Sequence, residues 1–350
     1  MYLRGVGLIP IAIDGSEVLG VTMRALVMTA PGGAEKSEIR EVDPPRPAAG
    51  EVTIDVAYAG VNFMDVMARR GDAGYASSWP YRPGLEIAGT VREVGAEVTG
   101  PAVGDRVAAV ALGGGGFAEI ATARAELTVP VPDAVPLSSA AATPLGLATA
   151  LLLLTEAGRF TAGDTVLLHS AAGGIGGAVA QLVPLLGGGR LLGTVSRVGR
   201  SVPGYDTVLV RGDGLAEEIR AATDGRGVDL VLDPLGTEAL DLDLEVTRPT
   251  GRIVLFGNAG GGAPAPLPPF GRLLGGNLTL TGFSHRGLVA GAPAKVAAAT
   301  RRVLDYLAEG TLSLPVTELA SLDEVIAGHD LLASGQGVGK YVARIGSVSN

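Results

Sequence analysis

The chain contains no cysteine, only three histidines, one tryptophan, and aromatic residues at 4% of its 350 positions. Without thiols it can form no disulfide, no thiolate nucleophile and no Cys-ligated zinc site. His169, His285 and His329 lie far apart in sequence, so no metal site is expected from histidine either. Lysine is confined to Lys36, Lys295 and Lys340, and the net charge is −9. No basic cluster offsets that charge, which argues against a nucleic-acid surface. No uninterrupted apolar run reaches the ~18 residues a membrane span needs. Residues 1 to 22 lack the basic start and cleavage site of a secretory leader and read as a loosely ordered N-terminal extension. The expected location is therefore the cytoplasm.

What is abundant is glycine, 54 residues, and apolar side chains, 47% of the chain. The most informative glycines follow Val166-Leu167-Leu168-His169, a run of strand length, and lead into the apolar segment Ala178 to Leu182. A strand, a tight glycine turn and a new helix N-terminus form the context in which backbone N–H groups bind a pyrophosphate. The small residues read Ala171-Ala172-Gly173-Gly174-Ile175-Gly176 rather than the commoner G-x-G-x-x-G, so the surroundings must support the assignment.

From Met23, short strand-like runs (Arg24–Thr29, Glu51–Ala59, Ile87–Val94, Arg106–Ala111, Phe117–Thr122) alternate with glycine turns, which predicts a β-rich barrel-like unit. After Pro136 the pattern changes. Ser138 and Ser139 are placed to cap a helix. Val/Leu/Ile runs at 165–169, 190–195, 207–210, 228–233, 251–257 and 277–283 then alternate with helical stretches. That alternation predicts a parallel sheet covered on both faces. The fold class is α/β, a doubly wound parallel sheet plus a β-rich unit. The expected division is 23–145 with 285–350 for the β-rich domain and 146–284 for the dinucleotide-binding domain.

Several motifs in this order resemble the zinc-free branch of the medium-chain dehydrogenase/reductase superfamily, the quinone oxidoreductase and enoyl reductase group. They are Gly60-Val61-Asn62-Phe63-Met64-Asp65, the block Pro83-Gly84-Leu85-Glu86 through Val91, and Gly104-Asp105-Arg106-Val107. Gly115-Gly116-Phe117-Ala118-Glu119, the Ala171–Gly176 loop, Gly225 to Asp229 with Asp233, and Gly337-Val338-Gly339-Lys340 complete the set. The resemblance covers Met23 to Ile345. It implies a Rossmann domain joined to a GroES-like domain, and a nicotinamide cofactor held by Ala172, Gly173, Gly174 and Ile175. At the reactive end it points to Asn62, Thr149, Phe256-Gly257, Phe283-Ser284 and Lys340. The Gly60–Asp65 segment resembles the one in which zinc-dependent relatives carry a cysteine ligand.

The second sheet strand ends Thr194-Val195-Ser196-Arg197, with Arg200 close by and no acid to bind a ribose 2′-hydroxyl. Serine plus arginine suits a 2′-phosphate, so NADPH is the expected cofactor, with Arg211 a third candidate. The segment after Ser196 is too short for the usual helix, and Pro184 interrupts the helix expected at the pyrophosphate.

Hydride reduction of an ordinary ketone needs a Lewis acid or a positioned proton donor. The chain offers neither clearly: where some relatives place a tyrosine it has Met67. A self-activating conjugated substrate fits better, a quinone, enone or enoyl thioester. Tyr75 and Tyr81 are candidate donors or loop packing. Asp65 either abstracts a proton or orders its own helix turn. His285 and Arg286 contact the cofactor or only their loop. The reading is an NADPH-dependent reductase, a homodimer paired along 251–257 or 277–283. A carrier-bound tailoring substrate and a scaffold turned to non-redox cyclase, lyase or binding work remain open as alternatives.

Overall fold

The computed structural model describes residues 22–200, 202–261, 266–267 and 270–346. The expected N-terminal extension, apart from Thr22, lies outside the described residues, as do positions 262–265 and 268–269 of the Gly/Pro-rich loop.

Six parallel strands form one sheet in the order Thr207–Val210, Leu191–Val195, Val166–Leu168, Val228–Asp233, Thr247–Leu255, Thr279–Gly282. Counted along the chain this is 3-2-1-4-5-6, the Rossmann order, whose ligand crevice opens beyond the carboxyl ends of strands 1 and 4. Alternate residues divide between two cores, as the two-residue strand period requires. Leu167, Val231 and Ile253 join Leu215, Ile219, Leu240 and Leu244 from the helices on one face. Val166, Leu168, Leu230, Leu232 and Val254 face helices Gly174–Leu185 and Pro293–Ala308 on the other. Val129 and Val342 of the second sheet join that same core, so both sheets share it.

The second sheet runs Val316–Leu319, Lys340–Arg344, Glu51–Val61, Glu86–Val94, Arg106–Val110, Thr128–Pro130, with Ile120–Arg124 also paired to Glu51–Val61. Antiparallel register sets Tyr341 opposite Val61 and Ile87 opposite Ala59. Lys340, Asn62 and Glu86 therefore emerge together at one end of three neighbouring strands.

Several expectations change. Ser138 and Ser139 lie inside helix Leu137–Ala140, whose N-cap is Pro136, rather than capping it. The strand expected from Phe117 begins at Ile120. Of the two runs expected at a sheet edge, only Thr279–Gly282 is there; Thr247–Leu255 is interior because it pairs on both sides. Pro184 is the penultimate residue of its helix, so it marks the terminus and no interior turn is broken. No helix occupies 197–206 among the described residues. Tyr205 covers that position: its ring packs over Gly193, and its hydroxyl donates to Gly176 O at 2.9 Å. Among the described residues no helix is long and apolar enough to cross a membrane.

Candidate active site

A cleft of ≈ 1520 Å³ runs between the two sheets. At its inner end lies a buried carboxylate. Glu86 is fully buried, and four donors satisfy it: Lys340 Nζ (2.5 Å) and Asn62 Nδ2 (3.0 Å) on Oε1, Leu145 N–H (2.8 Å) and Gly146 N–H (3.1 Å) on Oε2. Lys340 Nζ donates also to Val61 O (2.9 Å) and Asn62 Oδ1 (2.8 Å). The two backbone donors are available because 143–147 winds as a π-turn around Pro144, freeing amides an α-turn would use. Only glycine fits at position 60, since a Cβ there would stand 2.6 Å from Glu86 Cγ. Each polar atom of this cluster has a partner, the condition under which burying charge is tolerated.

Above it, Thr149 Oγ1 lies 3.0 Å from His285 Nδ1, and both residues line the cleft. Burial pushes the His285 imidazole down to about 4, against the field of Glu86, and its Nε2 has no partner among the described residues. Phe256, Gly257, Phe283 and Ser284 line the cleft too. The Ser284 hydroxyl, however, is used locally and accepts Gly287 N–H at 3.0 Å to cap helix His285–Gly291.

Of the candidate acids, Tyr75 lines the cleft and Tyr81 does not. Tyr81 is buried in the Met28, Ala68 and Tyr75 cluster, which pushes its phenol up to about 12. Asp65 is buried behind helix Phe63–Arg70. Its carboxylate accepts Asn62 N–H (2.9 Å) and Gly84 N–H (3.1 Å). Burial outweighs these two bonds and pushes its carboxyl up to about 7. It orders its helix and the Pro83-Gly84 turn.

In mid-cleft, Ala172, Gly173, Gly174 and Ile175 line the wall, with Gly173 as N-cap of helix Gly174–Leu185. A Cβ on Gly173 or Gly174 would meet nothing closer than 3.4 Å, so the backbone there is open to a ligand. At Gly176 a Cβ would lie 2.5 Å from Ala171 C, so this glycine serves helix–strand contact, the third role in the glycine fingerprint. Gly339 N–H donates to Ala172 O at 3.1 Å and ties the closing strand to the loop.

At the outer end, Ser196, Arg200 and Arg211 line the cleft and Arg197 does not. Arg197 donates to Gly335 O at 2.9 Å. Arg200 bonds Gly337 O (2.8 Å) and Gly335 O. Arg211 reaches Ser170 Oγ (3.1 Å) and is half-buried, which lowers its pKa from the usual arginine value. The cleft thus carries cations at one end, a helix N-terminus behind an open glycine wall in the middle and a closed polar cluster at the other, the chemistry a phosphorylated dinucleotide needs.

Two family models match the chain: alcohol dehydrogenase GroES-like domain over 48–133, and zinc-binding dehydrogenase over 203–342. A quinone oxidoreductase of Pseudomonas aeruginosa is 31% identical over 329 residues, 91% of this chain and 98% of its own length. The chain belongs to the medium-chain dehydrogenase/reductase superfamily, in its quinone oxidoreductase and enoyl reductase group. The solved Escherichia coli quinone oxidoreductase, complexed with NADPH, superposes with TM-score 0.83 at 26% identity, over 92% of this chain and 99% of that one. The human synaptic vesicle membrane protein VAT-1 homolog-like is 34% identical over 250 residues, 70% of this chain, and these span 59% of its length.

In the sequence Glu86 carried no assigned role, and nothing there paired Thr149 with His285. Glu86 was visible only as part of the Pro83-Gly84-Leu85-Glu86 block. The available signal was an acid opening an otherwise apolar strand, Ile87-Ala88-Gly89. The Thr149–His285 pair spans 136 positions, a separation that no local pattern could bridge. Among the described residues, no group of three His, Cys, Asp or Glu side chains is placed to hold a metal. His169 is a buried structural residue, bonded to Thr194 Oγ1 and Asp243 Oδ1, each at 2.9 Å.

Proposed function

We propose that the chain is an NADPH-dependent, zinc-independent reductase of conjugated substrates, quinones, enones or enoyl thioesters. The supporting observation is the single cleft that joins Ser196, Arg200 and Arg211 to the open Gly173-Gly174 backbone and on to Asn62, Thr149 and Lys340. Ser196, Arg200 and Arg211 would take the 2′-phosphate, and the helix N-terminus the diphosphate. A reduced nicotinamide supplies the hydride. Phe256 and Phe283 would flank its ring, while the Lys340–Glu86–Asn62 cluster holds that end of the cleft rigid. A phosphate offers guanidinium an opposite charge and a paired hydrogen-bond fit that a neutral carbonyl lacks, so Arg200 would exchange Gly335 O and Gly337 O for the ligand.

Supporting the zinc-free reading is the donor set: Asn62 lies in the segment resembling the one in which zinc-dependent relatives carry a ligand, and it is already bonded to Lys340 and Glu86. The proposed division places residues 23–145 and 285–350 in the GroES-like domain and 146–284 in the Rossmann domain. The proposed setting is the cytoplasm. Pairing of two copies along the Thr279–Gly282 edge, beside exposed Phe270 and Leu274, is part of the same proposal.

Titration of NADPH fluorescence followed by assay with a quinone, an enone and an enoyl thioester tests the function. Binding of NADPH together with turnover of at least one acceptor is the expected result. Absence of binding at millimolar NADPH would overturn it. Preference for the thioester over simple quinones would assign a tailoring role.

A further inference from the structure

Five charged residues line the cleft, and four of them have a partner or a place in the reading above. Arg200 and Arg211 stand at the outer end, Glu238 acts on Arg211, and Lys340 is held by Glu86. The fifth is Arg286. It is exposed, and its one hydrogen bond among the described residues goes to a neutral carbonyl, Gly74 O. No carboxylate of the described residues pairs with it, although the chain carries 36 acids against 27 bases.

A recess of ≈ 20 Å³ adjoins the cleft at this point, and Met64, Tyr75 and Arg286 line both. Ser77 and Tyr81 complete its polar wall, opposite Leu85 and Leu112. Within the described residues the hydroxyls of Tyr75, Ser77 and Tyr81 make no hydrogen bond, and both phenol oxygens retain open surface. Three O–H donors and a guanidinium therefore surround a space with no carboxylate in its wall. The acids that act on these phenols are occupied. Asp72, felt by Tyr75, pairs with Arg70 at 2.5 Å. Asp65, felt by Tyr81, accepts Asn62 and Gly84 N–H, and the Arg286 charge opposes it there.

We propose that this recess is a carboxylate subsite, with Arg286 as its specificity-determining residue, so that the substrate is a conjugated ketone that also bears a carboxylate. The proposal rests on the reductase reading above and narrows its substrate class. A guanidinium fork meets a carboxylate through paired, charge-assisted hydrogen bonds, a better match than the lone Gly74 carbonyl. A carboxylate accepts at about four lone-pair sites, so the hydroxyls of Tyr75, Ser77 and Tyr81 find acceptors on the same group. Size selects between anions. One water needs about 10–15 Å³ of such space, so a recess of ≈ 20 Å³ suits the two oxygens of a carboxylate rather than a phosphate with its third.

The test uses vinyl ketones with one to four methylenes between the carbonyl and a carboxylate, each beside its methyl ester and its phosphonate counterpart. For the best acid, kcat/KM is expected to exceed that of its ester by about 10- to 100-fold, carried by KM. Arg286→Gln is expected to erase most of that ratio, and Arg286→Glu to invert it toward the ester. Each ratio is internal to one variant, so a general loss of activity cancels. Ser77 is exposed and bonds nothing among the described residues, so Ser77→Asp tests the recess without disturbing the fold. Its like charge is expected to cut the ratio about tenfold. NADPH affinity, read by fluorescence, is expected to stay at the wild-type value in each variant. A wild-type ratio near unity, a ratio that survives Arg286→Gln, or a phosphonate favoured over its carboxylate overturns the subsite while the reductase reading stands. NADPH affinity that falls in Arg286→Gln assigns the cation to the cofactor and overturns the subsite as well. A wild-type chain that reduces none of these ketones and no quinone overturns both.

Discussion

The Lys340 ammonium sits 2.5 Å from Glu86 Oε1, joining two strands whose residues are 254 positions apart. Both side chains are almost wholly buried. Removing one member of such a pair leaves an uncompensated charge, which costs about 3–5 kcal/mol. Lys340→Met is expected to lower stability by that order in urea denaturation, and adding Glu86→Gln is expected to restore part of it. A single variant as stable as wild type would contradict the cluster's role.

Cofactor choice is expected to depend on Arg211 and Arg200 and not on Arg197, which does not line the cleft. A charge-assisted bond contributes about 1.5–3 kcal/mol. Arg211→Ala or Arg200→Ala should therefore weaken NADPH binding by about 10- to 100-fold while changing NADH binding little. Arg197→Ala should stay within about threefold. Parallel titrations with the two cofactors check this.

Gly176 and Gly177 are adjacent but should respond differently. A Cβ on Gly176 would strike the Ala171 backbone, whereas one on Gly177 meets nothing within 4 Å. Gly176→Ala is expected to displace the loop, lowering both melting temperature and NADPH affinity. Gly177→Ala should be neutral or slightly stabilising, since alanine favours the helix by up to about 1 kcal/mol over glycine. Equal melting temperatures for the two variants would argue against this packing.

Acid should destabilise the protein through its buried histidines. Burial pushes His329 down to about 3 and His285 to about 4, both below the ordinary histidine value of 6.5. Below pH 6.5 the unfolded chain binds the extra protons, so the contribution is present above 6.5 and is lost as pH falls toward 4 and 3. Asp65 and Asp233, each pushed up to about 7 by burial, act in the opposite sense and lose their contribution as pH rises from about 4 to 7. Comparing variants separates the two effects. His329→Phe should remove about 2–3 kcal/mol of the stability difference between pH 6.5 and 4.5, measured by denaturation at each pH. An unchanged pH slope in His329→Phe would contradict this account of the residue.

Dialysis against EDTA should leave both turnover and melting temperature unchanged. Loss of either, with recovery on adding zinc, would overturn the metal-free reading.

The parallel sheet was legible because stretches such as Val166-Leu167-Leu168 and Leu230-Val231-Leu232 are wholly buried and read as apolar runs. Ser37–Val42 was not: it is a short, mostly exposed strand of a two-stranded ribbon and has no such signature. Asn62 and Lys340 could be named from motifs at either end of the chain. What binds them together, Glu86, depends on the register of three strands and on a π-turn, neither of which is encoded in a local pattern. Arg197 and Arg200 look equivalent in sequence. Both end on Gly335 O, and only Arg200, which bonds Gly337 O as well, lines the cleft.

The bond from Gly339 N–H to Ala172 O ends beside Lys340, one residue along the same strand. Swinging the two sheets apart would have to tear this stitch, while the ammonium, whose partners Val61 and Glu86 share its own sheet, stays seated. Gaping of the cleft therefore leaves its inner end intact, and the Gly339 amide should exchange with deuterium faster than those of the strand that follows it.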